Sequence, residues 1–321
     1  MVPVAIGQVN ALAASVATGR VVLVGCRHDA AARERPMAYE TRLLGDGFAA
    51  EILGADLRRD FSDAEIDDIR AQWMAHKIAV FRGQDLSSGD LMRFTQRFGR
   101  LFVHIRSQFQ SPEHPEVMLV SNAKADGRAM GALGDGELGW HTDQAYTPEP
   151  VFATLLYGVA IPSQGGNTVF CDLSRSWRDL PAALRQRVAG RRVQYSIDKP
   201  AVTQGIRATD AQRAQLPDTI IHPVARRHPY LDRVALYISP DHLVTFEGLS
   251  VDESAALMRE LIAFAAQPPR VYAHQWRVGD VIMWDNSQVM HRRSAFPPDE
   301  TRTLKRTGFY LPMGRAVPVA A

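Results

Sequence analysis

Hydrophobic positions along this chain recur with two different periods. Three segments carry the helical period behind clear starts. Ser62-Asp-Ala-Glu65 has the capping-box form, and Ile66, Ile69, Trp73 and Met74 follow at helical spacing. Ser87-Ser-Gly-Asp90 opens a second helix with Leu91, Phe94 and Phe98 on one face. Ser250-Val-Asp-Glu253 opens a third, which runs through Leu257, Leu261 and Phe264 to the Pro-Pro stop at 268–269.

Between the helices the pattern shortens to β-rich runs bounded by turn residues. They are Lys77–Arg82, Glu116–Ser121, Phe152–Tyr157, Asn167–Cys171, Val234–Ile238, Asp280–Trp284 and Thr307–Leu311. Many short strands with few helices predict a mainly β fold with flanking helices, a sandwich or barrel of which a jelly roll is the economical form. A βαβ rhythm is absent, as are a Gly-x-Gly-x-x-Gly and a Walker loop, so a nucleotide-binding α/β fold is disfavoured. Residues 1–37 are Ala- and Val-rich, then Arg/Ala-rich, without a period. They are expected to be a poorly ordered N-terminal extension ahead of one domain over 38–321.

Length and charge add limits. The chain has 321 residues, 46% of them apolar, enough for one large core. A formal charge of +2 exerts no pull toward nucleic acid or an anionic membrane. No run approaches the ~18 apolar residues of a membrane span. Two cysteines, Cys26 and Cys171, are too few for a disulfide framework. A reducing cytoplasm is the expected location, and exposed helical faces are compatible with a homo-oligomer.

The chemistry concentrates in two places. His141 and Asp143 lie in Gly-Trp-His-Thr-Asp, and His291 closes Trp-Asp-Asn-Ser-Gln-Val-Met-His. Residues i and i+2 of an extended strand point to one side, so His141 and Asp143 can reach one ion if the segment is extended there. Two imidazoles and a carboxylate form a three-ligand face with open positions, the pattern of non-haem Fe(II) oxygenases. Arg302 and Arg306 follow, and a guanidinium can hold a dicarboxylate in fork geometry. The set points to an iron- and 2-oxoglutarate-dependent dioxygenase. His114-Pro-Glu116 has the same His-x-acid form but sits in a Pro-flanked polar stretch and is expected to be a surface turn. The histidines at 28, 76, 222, 228, 242 and 274 carry no ligand pattern.

These motifs together resemble the taurine/2,4-dichlorophenoxyacetate dioxygenase family. The matching pieces are Arg97-Phe-Gly-Arg-Leu101 with His104, Trp140-His-Thr-Asp143, Gly165-Gly-Asn-Thr-Val-Phe170, Trp284-Asp-Asn286, His291, Arg302 and Arg306, in family order over roughly residues 39 to 312. The resemblance implies a double-stranded β-helix with helices outside. It implies that His141, Asp143 and His291 are the catalytic iron ligands, with Fe(II), 2-oxoglutarate and O₂ as cofactor and cosubstrates. It assigns Thr168 and Arg302 to the distal carboxylate of 2-oxoglutarate. It places Arg306 and His104 at the pocket of a small organic, anionic substrate, with Asn122 and Tyr146 as looser pocket candidates. Hydroxylation with release of succinate and CO₂ is the expected outcome. Asp143 rules against a halogenase, whose relatives put a small residue there. The chain departs from the taurine enzymes at Gln144-Ala-Tyr-Thr-Pro148 and in the Gly-rich run 127–139, which is expected to form either a mobile loop near the mouth of the site or a plain surface loop. The rival readings are a zinc hydrolase on the same ligands and a non-catalytic, metal-binding jelly roll that senses a small ligand.

Overall fold

The structure is a computed structural model that describes residues 39–132, 134–198, 208–217 and 219–313. The extension expected over residues 1–37, and Cys26 within it, lie outside the described residues. The three capping boxes form as expected. Ser62, Ser87 and Ser250 each accept from the backbone N–H three residues on, and Glu65, Asp90 and Glu253 reach back. They open helices Asp63–His76, Ser88–Gln96 and Val251–Ala265.

All seven expected strands are present; six sort into two facing sheets, and Val234–Leu236 instead pairs with Ala225–Arg227 in a separate ribbon. The larger runs in the order Thr41–Leu44, Ala49–Ile52, Ile78–Phe81, Val281–Asp285, Ala153–Ala160, Thr303–Met313 and Gly99–Leu101, with Met118–Ser121 also paired to Thr303–Met313. The smaller runs Val271–His274, Thr168–Asp172, Val289–Arg293 and Leu138–His141. This is the double-stranded β-helix.

Central strands of the large sheet read as continuous apolar runs because both of their faces are covered. Alternation decides which side each residue serves. Ala79, Phe81, Leu155, Tyr157, Val281, Met283 and Phe309 pack against the two N-terminal helices, around Trp73. Ile78, Val80, Leu156, Ile282, Trp284 and Leu304 point the other way and meet Phe170 and Val289 of the small sheet. The candidate site lies in this second, inter-sheet layer.

A third sheet of Ile220–Pro223, Arg192–Tyr195 and Leu243–Phe246 packs with helix Val251–Ala265. Of these four elements only the helix Val251–Ala265 was legible from spacing. The helices Leu173–Asp179 and Ala182–Val188 have seven residues each, too short to establish a period. No helix among the described residues is long and apolar enough to cross a membrane.

Candidate metal centre and flanking chambers

Sheet register brings the two imidazoles together. His141 ends the strand Leu138–His141, and its directly opposed residue on Val289–Arg293 is His291. Their ring centroids are 4.2 Å apart. His141 Nδ1 lies 2.9 Å from the Gly139 carbonyl oxygen, so the proton sits on Nδ1 and Nε2 presents a lone pair. His291 is enclosed by the rings of Phe170 and Trp284. Burial, and then the neighbouring His141, push His291 down to about 3, which keeps it in the neutral form that ligation needs.

Asp143 arrives by a different route from the one its spacing suggested. The ladder ends at His141, and the chain then turns. Thr142 is pinned through its N–H to Ser239 Oγ and through its hydroxyl to the Ile238 carbonyl. Gln144 follows with a φ of 56°. The turn directs Asp143 into the inter-sheet layer, where the large sheet takes hold of it. Thr154 Oγ1 donates to Asp143 Oδ2 at 2.7 Å. Asn286 Nδ2 donates to Thr154 Oγ1, and Trp284 Nε1 donates to Asn286 Oδ1. Thr154 and Trp284 are themselves register partners. The Trp-Asp-Asn motif therefore orients the carboxylate through two intervening side chains.

With Oδ2 occupied, Oδ1 faces the imidazoles, 4.0 Å from His141 Nε2 and 3.9 Å from His291 Nε2. The ligand atoms of all three residues lie within 4.8 Å of one another. That spacing admits one first-row ion at bond lengths of roughly 2.0–2.3 Å, and the donor set fits Fe(II). Burial alone would raise the Asp143 pKa. Arg306, the two imidazoles and Thr154 outweigh it and hold the carboxyl well below the usual range. Arg306 Nη2 stands 2.9 Å from Oδ1. The distance makes an ion pair, but no hydrogen bond is aligned, and Arg306 Nε and Nη2 have no hydrogen-bond partner.

Two chambers share the wall formed by His141, Asp143 and Arg306. The first is also lined by Val120, Leu156, Thr168, Trp284, Arg293 and Arg302. Arg302 is 2% exposed and forms no ion pair among the described residues. Its Nε donates to the Gly166 carbonyl oxygen at 3.0 Å. Burial, with Arg293 nearby, brings its pKa down to about 9, so it remains a cation at neutral pH. A buried cation of this kind calls for an anion. Thr168 Oγ1 accepts from Trp276 Nε1 at 3.0 Å, which leaves its own proton available to the chamber. The two glycines before Thr168 are required. A Cβ on Gly165 would come within 2.2 Å of the Ala295 carbonyl oxygen, and one on Gly166 would come within 3.0 Å of the Arg302 side chain; both residues have positive φ.

The second chamber adds His104, Arg106, Met118, Ala132, Gln144, Tyr146 and His242. His104 Nδ1 accepts from the Arg106 backbone N–H at 3.0 Å. Burial, then Arg306 and Arg106, push His104 down to about 3. Tyr146 meets His242 edge-on, with centroids 4.6 Å apart. Part of the Gly-rich run borders both spaces, through Ala132 in the second and Leu138 in the first.

Three chamber residues, Arg106, Gln144 and His242, had not been singled out from sequence. They lie on a loop, a turn and a 3₁₀ segment, where no spacing rule operates. Asn122, expected in the substrate pocket, lines neither chamber. Its Oδ1 accepts from the Arg302 N–H at 2.9 Å and its Nδ2 donates to the Glu300 carbonyl at 2.8 Å. Its amide is committed to holding the segment that carries Arg302. His114 falls in a turn, as expected. His228 and His274 are buried against Asp285 and Asp280. Cys171 is buried, donates to the Ala265 carbonyl, and has its thiol pushed up to about 12 by burial. A wider cleft near Lys77 and Asp172 contains none of the three ligands, and its Lys77 and Asp172 pair with each other at 3.1 Å.

Residues 40–307 match the family described as Taurine catabolism dioxygenase TauD, TfdA family. The chain belongs to this family. A pentalenolactone F synthase of Streptomyces avermitilis is 30% identical over 281 residues, which cover 83% of this chain and 92% of that protein. An alpha-ketoglutarate-dependent 2,4-dichlorophenoxyacetate dioxygenase of a Burkholderia species is 29% identical over 280 residues, 84% of this chain and 94% of that protein. The crystal structure of AAD-2 in complex with Mn(II) and N-oxalylglycine superposes with a TM-score of 0.72 at 26% identity, covering 88% of this chain and all of that one. This TauD/TfdA-family protein is an Fe(II)- and 2-oxoglutarate-dependent dioxygenase that acts on a small molecule.

Proposed function

We propose that His141, Asp143 and His291 hold Fe(II), that Arg302 and Thr168 hold the distal carboxylate of 2-oxoglutarate in the first chamber, and that the second chamber takes a small anionic organic substrate for hydroxylation. The observation that carries this is the position of the three ligand atoms, within 4.8 Å of one another on the wall shared by two arginine-lined spaces. Bound Fe(II) supplies O₂ activation coupled to decarboxylation of the keto acid, yielding succinate and CO₂. The protein supplies position and electrostatics.

Each side chain has a distinct part. His141 is fixed in the ligating tautomer by Gly139. Thr154 occupies one oxygen of Asp143 and so directs the other inward. Arg302 meets the dicarboxylate with charge, and Thr168 adds a hydroxyl donor. Arg306, with two nitrogens lacking hydrogen-bond partners, offers charge to the substrate's anionic group beside the metal. His104, kept neutral by burial, and Tyr146 shape the rest of that space. The Burkholderia relative named for 2,4-dichlorophenoxyacetate supports a carboxylate as the anionic group. A zinc hydrolase would leave Arg302 and Thr168 without a common ligand. We place the enzyme in the cytoplasm, with residues 38–321 as its catalytic domain and exposed helical faces available for self-association.

The test is succinate release from 2-oxoglutarate with added Fe(II). Turnover should vanish in Asp143→Ala, a loss beyond the roughly 10- to 100-fold cost of disturbing groups behind metal ligands. Full turnover in that variant rejects the ligand assignment.

A further inference from the structure

The second chamber is lined by two arginines, Arg306 and Arg106, and also carries neutral polar groups. Arg306 stands beside Asp143 at the metal wall. Gln144 and His242, only 4% and 8% exposed, line the same chamber. Gln144 Nε2 has no hydrogen-bond partner among the described residues, and His242 Nδ1 has none that is aligned, although the His242 ring lies against the Ser196 backbone. Polar atoms buried this deeply are nearly always paired, and leaving them unpaired is costly. Gln144 also occupies the left-handed region at φ 56°, where a non-glycine residue is disfavoured. Its carbonyl accepts from both the N–H and the hydroxyl of Thr147, each at 2.9 Å, so the turn is held in that conformation. A glycine would adopt this φ without strain. What glutamine adds is an amide presented to the chamber. Met118 and Ala132, packed with Phe109, give the chamber an apolar wall.

We infer that Gln144 and His242 form a second recognition point in the substrate chamber, one that reads a hydroxyl on the substrate at a distance from its anionic group. The chemistry selects a hydroxyl. An amide nitrogen only donates, whereas a neutral imidazole nitrogen donates or accepts according to its tautomer. A hydroxyl accepts from the one and serves either role toward the other. The substrate class is therefore an amphiphilic hydroxycarboxylate: an anion at Arg306, an apolar body along Met118 and Ala132, and a hydroxyl at Gln144 and His242. A site built to bond a hydroxyl discriminates strongly against the analogue that lacks it, because its own buried groups are then stranded.

This inference rests on the functional reading above, and the experiment separates the two. Substrate-stimulated O₂ uptake is measured with phenoxyacetate and hexanoate and with the monohydroxylated derivatives of each, on the Fe(II)-loaded enzyme with 2-oxoglutarate. At least one hydroxylated member should show a KM about tenfold or more below its parent. That advantage should shrink to within about twofold in Gln144→Leu and in His242→Phe, with the KM for 2-oxoglutarate unchanged. Thermal unfolding supplies the second arm. Removing a polar group that the resting protein leaves unpaired should hold or raise the Tm, whereas removing a structural hydrogen bond lowers it. Equal use of parents and hydroxylated members, an advantage that survives both variants, or a lowered Tm in both overturns the inference and leaves the functional reading standing; ordered water alone would then occupy these groups. If no carboxylate stimulates O₂ uptake above the rate with 2-oxoglutarate alone, the anionic-substrate reading falls and takes this inference with it.

Discussion

The two chambers on either side of the candidate metal centre are built in different ways. In the first, Thr168 and Arg302 are held from behind and open only at their tips. Thr168 sits in a strand, in register with Arg293 and His274, and accepts from Trp276. Arg302 is fixed at its backbone by Asn122 and at its Nε by Gly166. In the second chamber His104, Arg106, Gln144, Tyr146 and His242 come from loops, turns and a 3₁₀ segment while Arg306 stands in a strand, and several polar atoms lack an aligned hydrogen-bond partner: Gln144 Nε2, His242 Nδ1, and Nε and Nη2 of Arg306. The contrast matches the two ligands proposed for them. A cosubstrate of fixed shape suits distances set by sheet register, whereas a substrate that differs from relative to relative suits loops carried on that scaffold.

Truncating one arginine from each chamber is the sharpest way to break the comparison. Arg302→Ala should raise the KM for 2-oxoglutarate about thirtyfold or more, from the roughly 2 kcal/mol or more that follows removal of one partner of a buried charge pair. The KM for the organic substrate should hardly move. Arg306→Ala should give the opposite split. Steady-state kinetics with each substrate varied in turn checks this, and equal effects on both KM values in both variants would mean that the chambers do not act separately.

The support behind the shared wall comes next. Thr154→Val keeps the shape and removes the hydrogen bond to Asp143 Oδ2, so Fe(II) affinity should fall by about tenfold. Competition with a chelator reads this without turnover, and unchanged affinity would show that the carboxylate is oriented by something else. A smaller effect is expected from Asn122→Ala. Losing one hydrogen bond worth about 1 kcal/mol corresponds to about a fivefold rise in the KM for 2-oxoglutarate, with the organic substrate unaffected. A change confined to the organic substrate would return Asn122 to the pocket where its motif first placed it.

The gentlest probe is pH. His104 and His242 are pushed by burial to about 3 in the folded protein, against about 6.5 when unfolded. Above about 6.5 both states are neutral and the histidines' full contribution to stability is present. As pH falls from there toward about 3, the unfolded chain takes up protons that the buried rings refuse, so stability declines by ~1.4 kcal/mol per pH unit for each histidine. Thermal unfolding of the metal-free protein between neutral pH and pH ~4 should show this slope, and His104→Gln should flatten it by one histidine's share. An unaltered slope in that variant would mean that His104 is not shielded.

Much of the fold was legible because its signals are local. A capping serine and the acid three residues on announce a helix whatever surrounds them. Ile78, Val80, Ile282 and Trp284 are apolar along with their odd-numbered neighbours because both sheet faces are covered, and that makes short, dense runs easy to see. The third sheet was harder. Arg192–Tyr195, Ile220–Pro223 and Leu243–Phe246 are four residues each, and only the first alternates with Arg and Gln strongly enough to suggest one dry face. The metal-binding trio was visible as spacing, but the reason offered for Asp143 was incomplete. An extended i, i+2 pair was expected, whereas the strand stops at His141 and a pinned turn delivers the carboxylate.

Local spacing and residue chemistry, then, were enough to determine the candidate donor set, the class of fold and the cation proposed to hold the keto acid. These depend on neighbours in the chain or on strands whose register follows from alternation. Tertiary structure alone decided that Asn122 serves Arg302, that Thr154 and Asn286 aim Asp143, and that His242 and Gln144 share a chamber. His242 and Gln144 are 98 positions apart in the chain. No period links them, and only the packing of one connection against another brings them to the same space.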